Sequence, residues 1–150
     1  MNNEKIHRLV DEILADNNSQ KEKLKAICSI LKQEVYHYDW VGFYILDKSQ
    51  NILVLGPYVG KPTDHTKIPV GKGVCGQVAQ NCSTMVVQDV SNIDNYIACS
   101  IDVQSEIVVP IMKDNNFIAE IDIDSHAFAP FTNRDKELLE TISAKIKELF

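Results

Sequence analysis

Residues 105–125 read Ser-Glu-Ile-Val-Val-Pro-Ile-Met-Lys-Asp-Asn-Asn-Phe-Ile-Ala-Glu-Ile-Asp-Ile-Asp-Ser, and this stretch decides the fold. Ile107–Met112 and Phe117–Asp124 are rich in apolar and β-branched residues, and Lys113-Asp114-Asn115-Asn116 between them is turn chemistry. The whole reads as a β-hairpin. Side chains alternate faces along a strand. Glu120, Asp122 and Asp124 therefore share one side of the second strand, and Phe117, Ala119, Ile121 and Ile123 share the other. If the pairing is centred on the turn, Glu106 falls close to the Asp122–Asp124 end and three or four carboxylates gather in a small area. Like charges placed opposite each other destabilise a sheet. Either solvent washes this face, or the cluster holds a cation, a metal or a shared proton. No EF-hand spacing is present to support a calcium site.

Upstream, Val41–Leu46 and Ile52–Leu55 flank Asp47-Lys48-Ser49-Gln50-Asn51 and read as another hairpin, after which Pro57, Gly60 and Pro62 open a loop. Gly71-Lys72-Gly73-Val74-Cys75-Gly76 leads into one or two helical turns, and Met85-Val86-Val87 is a short strand. Two amphipathic helices precede the first hairpin, carrying Ile6, Leu9, Val10, Ile13 and Leu14, then Leu24, Ile27, Ile30, Leu31 and Val35. Ser19 with Glu22 has the form of a capping box between them. A final helix opens at Thr132 and Asp135 and turns Leu138, Leu139, Ile142, Ile146 and Leu149 inward. Consecutive hairpins favour an antiparallel sheet, so the expected class is α+β, a mainly antiparallel sheet with helices packed on its faces.

A chain of 150 residues is one domain's worth, with helices over 1–37 and the sheet, loops and last helix over 40–150. Fifteen Lys+Arg against 21 Asp+Glu leave a net charge of −6, which argues against nucleic acid and anionic membrane as partners. There is no apolar run of membrane-spanning length and no hydrophobic stretch behind the polar N-terminus, so a cytoplasmic setting is expected.

In that reducing compartment Cys28, Cys75, Cys82 and Cys99 read as structural, metal-binding or redox-active. Cys75 sits between glycines at a helix start, where backbone N–H groups and the helix dipole favour a thiolate. Cys99 lies in a polar, irregular segment spanning residues 89–104. Cys28 reads as a small buried hydrophobe and Cys82 as a surface thiol. Without a C-x-x-C pair the spacing argues against zinc on Cys75, Cys82, Cys99 and His65. Nothing aligns His65 or His126 with a thiol for hydrolase chemistry.

Several motifs then fall in order: Trp40-Val41-Gly42-Phe43-Tyr44, Leu55-Gly56-Pro57, Ile68-Pro69-Val70-Gly71-Lys72-Gly73-Val74-Cys75-Gly76, Asp89-Val90, Ile97-Ala98-Cys99, Ser105–Pro110 and Ile121–Ser125. In combination they resemble the free methionine-(R)-sulfoxide reductases, a family built on a single GAF domain. The resemblance runs from about Trp40 through the final helix and implies a GAF-like fold. It also implies residue roles. Cys99 is the nucleophile and Cys75 the resolving thiol, joined in a redox-active disulfide. Glu106, Asp122 and Asp124 are active-site carboxylates that also bind substrate, and Trp40 and Tyr44 shape the pocket. It implies no bound metal or cofactor, an external thioredoxin-type dithiol as electron source, free methionine (R)-sulfoxide as substrate, and a homodimer. Many members carry a further cysteine where this chain has His65, so the chain resembles the two-cysteine type. Around the nucleophile, Tyr96 and Ser100 stand where members usually have His and Asp.

The residue types suit that chemistry. Sulfoxide reduction needs a soft nucleophile for sulfur and a proton for the leaving oxygen. A thiolate supplies the first and is left as a sulfenic acid, which a second thiol converts to a disulfide. Acids crowded on one strand face cannot all ionise cheaply, so one is expected to hold a proton near neutral pH and to act as the acid. The remaining negative charge suits the ammonium of a free amino acid. Backbone N–H groups around Gly73–Gly76 are candidates for an α-carboxylate or oxyanion. The competing readings are a non-catalytic GAF sensor of a small ligand and a thiol module for peroxide.

Overall fold

The computed structural model describes residues 1–94, 96 and 101–150. Cys99, on which the expected nucleophile falls, lies outside the described residues, as does Ser100. The chain begins with α1 (Asn3–Ala15) and α2 (Gln20–Glu34). Asn2 caps α1 by accepting from Lys5 N–H. Ser19 and Glu22 form the expected capping box on α2. Next come β1 (Trp40–Asp47), β2 (Ile52–Val59), β3 (Lys67–Pro69), α3 (Gly73–Asn81), β4 (Met85–Val87), β5 (Ser105–Lys113), β6 (Asn116–Ser125) and α4 (Asn133–Ile146).

The six strands form one antiparallel sheet in the order β3-β2-β1-β6-β5-β4. Two features of β2 depart from the sequence reading. The strand runs through Pro57 to Val59 instead of ending there, because a register shift between Gly42 and Tyr44 lets β1 stay paired past the proline. Its outer edge is then covered by the three-residue β3, too short to leave a periodic signal.

The strands' two-residue period sorts the molecule into layers. Val41 and Phe43 of β1, Ile107, Val109 and Ile111 of β5, and Ala119, Ile121 and Ile123 of β6 point to one face. There they pack with Ile6 and Val10 of α1, Leu24, Ile27 and Leu31 of α2, and Leu138, Leu139, Ile142 and Ile146 of α4. Trp40, Tyr44 and Val108 point to the other face, with Val74, Cys75, Val78 and Ala79 of α3. Phe117 belongs to this second cluster, against the expectation from simple alternation. A register shift beside Met112, which pairs with Phe117, inverts the strand's facing there, and Ile118 packs on the helical side instead.

One polar network ties the helical layer together. Asp135 at the start of α4 is buried, and its Oδ1 accepts from Tyr38 O–H at 2.8 Å and lies 2.8 Å from His37 Nε2. Its Oδ2 accepts from Thr132 N–H at 2.8 Å, completing a second capping box. Burial alone would raise its pKa, but the hydrogen bonds from His37, Thr132 and Tyr38 outweigh it and hold the carboxyl below the ordinary value. Asp135→Ala strands a buried phenol and removes the cap, so it should cost about 3 kcal/mol in urea denaturation. Because the folded pKa is depressed, the contribution is present at neutral pH and fades on acidification, so the variant's stability should vary less on the acid side. A loss below about 1 kcal/mol would contradict this role.

Candidate active site

The central strand β6 carries the acids, and its two neighbours fix their surroundings. Asp124 lies between Trp40 of β1 and Glu106 of β5, Asp122 between Gly42 and Val108, and Glu120 between Tyr44 and Pro110. Residues directly opposite have Cβ atoms about 5 Å apart, so Glu106 and Asp124 face each other across the ladder. Gly42, opposite Asp122, leaves room for the Trp40 and Tyr58 side chains, since an added Cβ there would sit 2.8 Å from Tyr58 Cβ and collide with the Trp40 ring.

These carboxylates are not washed by solvent. Glu106 and Asp122 are 2% exposed, and Glu120 and Asp124 are 0%. That removes the solvated-face reading of the sequence. Among the described residues no Lys, Arg or His forms an ion pair with Glu106, Glu120 or Asp122. Burial, and then the negative charge of Asp122 and Asp124, pushes the Glu106 pKa well above its ordinary value. Burial and Asp122 do the same to Glu120. Asp122 is also raised, by burial. Carboxyls in this state keep a proton where surface acids have lost theirs.

Cys75 meets the acids from above. It stands in the first turn of α3, whose start is pressed onto the end of β3: a Cβ on Gly76 would lie 2.6 Å from Pro69 O. Gly71 N–H donates to Gly76 O at 2.8 Å and closes that loop. Cys75 Sγ reaches Glu106 Oε2 at 3.9 Å. The expectation of a Cys75 thiolate is corrected here. Burial first, then the charges of Asp122, Glu120 and Glu106, raise its pKa well above the ordinary value. A helix N-terminus contributes only about 0.3–1 kcal/mol toward an anion, too little against that wall. At rest Cys75 is a thiol. Cys28 is buried, its pKa pushed up to about 12 chiefly by burial, and Cys82 is exposed, as the sequence suggests.

Tyr44, His65, Ile68, Lys72, Gly73, Val74, Cys75, Glu106 and Asp122 line a cavity of about 10 Å³, room for one water. Trp40 and Tyr44 fasten the loop over residues 60–66 beside it. Trp40 Nε1–H donates to Lys61 O at 3.1 Å and Tyr44 O–H to His65 O at 2.8 Å, while Trp40 stacks on Tyr58 at 5.3 Å. Tyr44 thus sits in the cavity wall, and Trp40 positions the loop. Glu120 belongs to the acid row and lies against Cys75; the alternation of β6 signals it, yet it is outside the residues that the resemblance implies. The wall residues Ile68 and Lys72 were hidden because neither residue type announces itself, although both flank the Gly71–Gly73 turn.

Residues 21–147 match the model of the GAF domain family. Free methionine-R-sulfoxide reductase of Escherichia coli K12 is 33% identical over 144 residues, covering 96% of this chain and 86% of the relative. The X-ray structure of free methionine-R-sulfoxide reductase from Neisseria meningitidis, in complex with its substrate, superimposes with a TM-score of 0.89 at 34% identity, covering 99% of this chain and 89% of that one. The type II free methionine-R-sulfoxide reductase from Thermoplasma acidophilum gives 0.83 at 37% identity, covering 87% and 91%. The chain belongs to the free methionine-(R)-sulfoxide reductases, a family of oxidoreductases built on the GAF domain.

A raised folded pKa gives stability that is present below the unfolded value, about 4.5 for Glu120, and lost as pH rises. Glu120→Gln removes one such group. The fall in melting temperature as pH rises above about 4.5 should therefore become shallower. An unchanged pH profile would mean that Glu120 ionises as a surface acid does.

Proposed function

We propose that the chain reduces free methionine (R)-sulfoxide to methionine, and the observation that carries this reading is the Cys75 thiol set against a row of buried carboxylates, of which Glu106, Glu120 and Asp122 form no ion pair among the described residues. Cys99 attacks the sulfoxide sulfur. The substrate's oxygen passes to the Cys99 sulfur, methionine leaves, and Cys99 is a sulfenic acid. A protonated carboxyl among Glu106, Asp122 and Asp124 donates to the sulfoxide oxygen as the S–O bond of the substrate breaks. Cys75 then attacks the sulfenic sulfur, giving up its proton as water leaves and the Cys75–Cys99 disulfide forms. An external thioredoxin-type dithiol takes the disulfide's place, becoming oxidised itself and returning two thiols. No bound cofactor enters the cycle.

The electrostatics support a free amino acid as substrate. A wall of buried acids holding fewer protons than carboxyl groups favours an ammonium group, which a methionine sulfoxide within a peptide lacks. A resting thiol at Cys75 suits a resolving role: the carboxylates that keep it protonated are placed to take the proton when its turn comes. Tyr44 in the cavity wall, with Trp40 holding the neighbouring loop, supports placing the methyl-sulfinyl end on the β1 side. The reducing cytoplasm fits free thiols at Cys28, Cys75 and Cys82, and among the described residues no helix is long and apolar enough to cross a membrane. A homodimer is the assembly this reading carries.

The test is mass spectrometry of the intact reduced protein after one equivalent of substrate. The expected product has lost two hydrogens, with Cys75 and Cys99 in one disulfide-linked peptide. Cys99→Ser should abolish methionine formation. Cys75→Ser should complete a single turnover, leave a trappable sulfenic acid, and lose steady-state rate by more than about 100-fold. Glu106→Gln should lower kcat/KM by about 10²–10⁴. Full steady-state activity in Cys75→Ser would remove its resolving role, and no turnover by folded wild-type protein with a dithiol would overturn the whole reading.

A further inference from the structure

Cys75 Sγ, a Glu106 oxygen and an Asp122 oxygen lie within 4.8 Å of one another, all on buried residues. We propose that the reduced protein binds one soft divalent cation of the zinc class through these three atoms, and that the ion ties up Cys75 and two of the carboxyls while it is bound. Three features support it. First, the donor set is mixed sulfur and oxygen. Tetrahedral zinc with S and O bonds of about 2.3 and 2.1 Å has donors roughly 3.5 Å apart. Cys75 Sγ and Glu106 Oε2 are already at 3.9 Å, so small side-chain rotations close the site.

Second, there are oxygens waiting for a charge. Glu106 Oε1, Asp122 Oδ1 and both Glu120 oxygens are buried with no hydrogen-bond partner among the described residues. Glu106 and Asp122 also line the cavity beside Cys75. Buried acceptors without donors are costly, and a cation satisfies several at once. Third, the thiol decides which cation. Sulfur ligands favour zinc-class ions over magnesium and calcium, which an all-oxygen cluster would suit.

Binding needs no oxidant. The Cys75 S–H proton leaves to solvent, its electron pair stays on sulfur, and the S–metal bond forms. Three protein ligands leave a fourth position for water, so the ion is held reversibly. With Cys75 metallated, its thiol is no longer available for disulfide formation. The sequence brings Glu106 and Asp122 together as one reading of the acid cluster, but gives no hint that Cys75 of α3 joins them, since it shares no motif spacing with β5 and β6. The inference stands whether or not Cys75 resolves a sulfenic acid.

The test is a cobalt titration of metal-stripped, phosphine-reduced protein, followed by absorbance. A thiolate-to-cobalt charge-transfer band should rise and saturate at about one equivalent per chain, and zinc should bleach it. Cys75→Ser should lose the band, and Asp122→Asn, which keeps the thiol, should weaken cobalt affinity by more than about 100-fold. Cys82→Ser, at the exposed cysteine, should keep the band unchanged. No band, a band that survives in Cys75→Ser, or one that disappears with Cys82 overturns the proposal. Methionine formation by metal-free protein in chelator, with no cobalt band on titration, sinks the metal site alone; a cobalt band with no turnover by the metal-free protein in chelator sinks the reductase reading alone.

Discussion

Several carboxylates are packed on the inner face of a sheet with no counter-charge on Glu106, Glu120 or Asp122 among the described residues, and the rest of the structure is arranged around that constraint. Such a face cannot hold the sheet together, because burying charge without a partner opposes folding. The opposite face does. Alternate residues of the same strands, Ile107 and Val109 on β5 and Ile121 and Ile123 on β6, are fully packed under α1, α2 and α4. Each strand therefore serves cohesion with one set of side chains and chemistry with the other. β6 sits in the middle of the sheet, between β1 and β5, where the backbone is paired on both edges and least able to yield.

The acid row sets the protonation of everything near it. It holds its own protons by mutual repulsion and burial, and it imposes a proton on Cys75 that the start of α3 would otherwise help to remove. A site of this kind has a proton to give and negative charge to neutralise. A guest that is both a proton acceptor and a cation satisfies both demands, and an amino-acid sulfoxide is one. The same demands explain the attraction of the site for a soft metal ion when the amino acid is absent.

Much of this was legible in the sequence because the decisive signals were local. Period-two alternation over 117–124 with a polar turn before it placed the hairpin and put Glu120, Asp122 and Asp124 on one face, and Ser19/Glu22 and Thr132/Asp135 marked two helix starts. What alternation cannot reveal is a register shift, so it puts Phe117 on the wrong side and ends β2 at Leu55. Nor does it report burial. Whether the acid face meets water or protein depends on α3 and the stretch at His65 closing over it, a contact made by residues distant in the chain. The thiol state of Cys75 was misjudged for the same reason: the helix end is visible in the sequence, and the carboxylates facing it are not.

Everything chemical in this account depends on protons retained by buried acids. The direct measurement is a pH titration of the side-chain carboxyl carbons in protein labelled with ¹³C at Asp and Glu. The account predicts that the Glu106 and Glu120 resonances still report a protonated carboxyl well above the ordinary range near 4, while surface acids titrate within it. Titration of every carboxyl near 4, with none displaced upward, would contradict it.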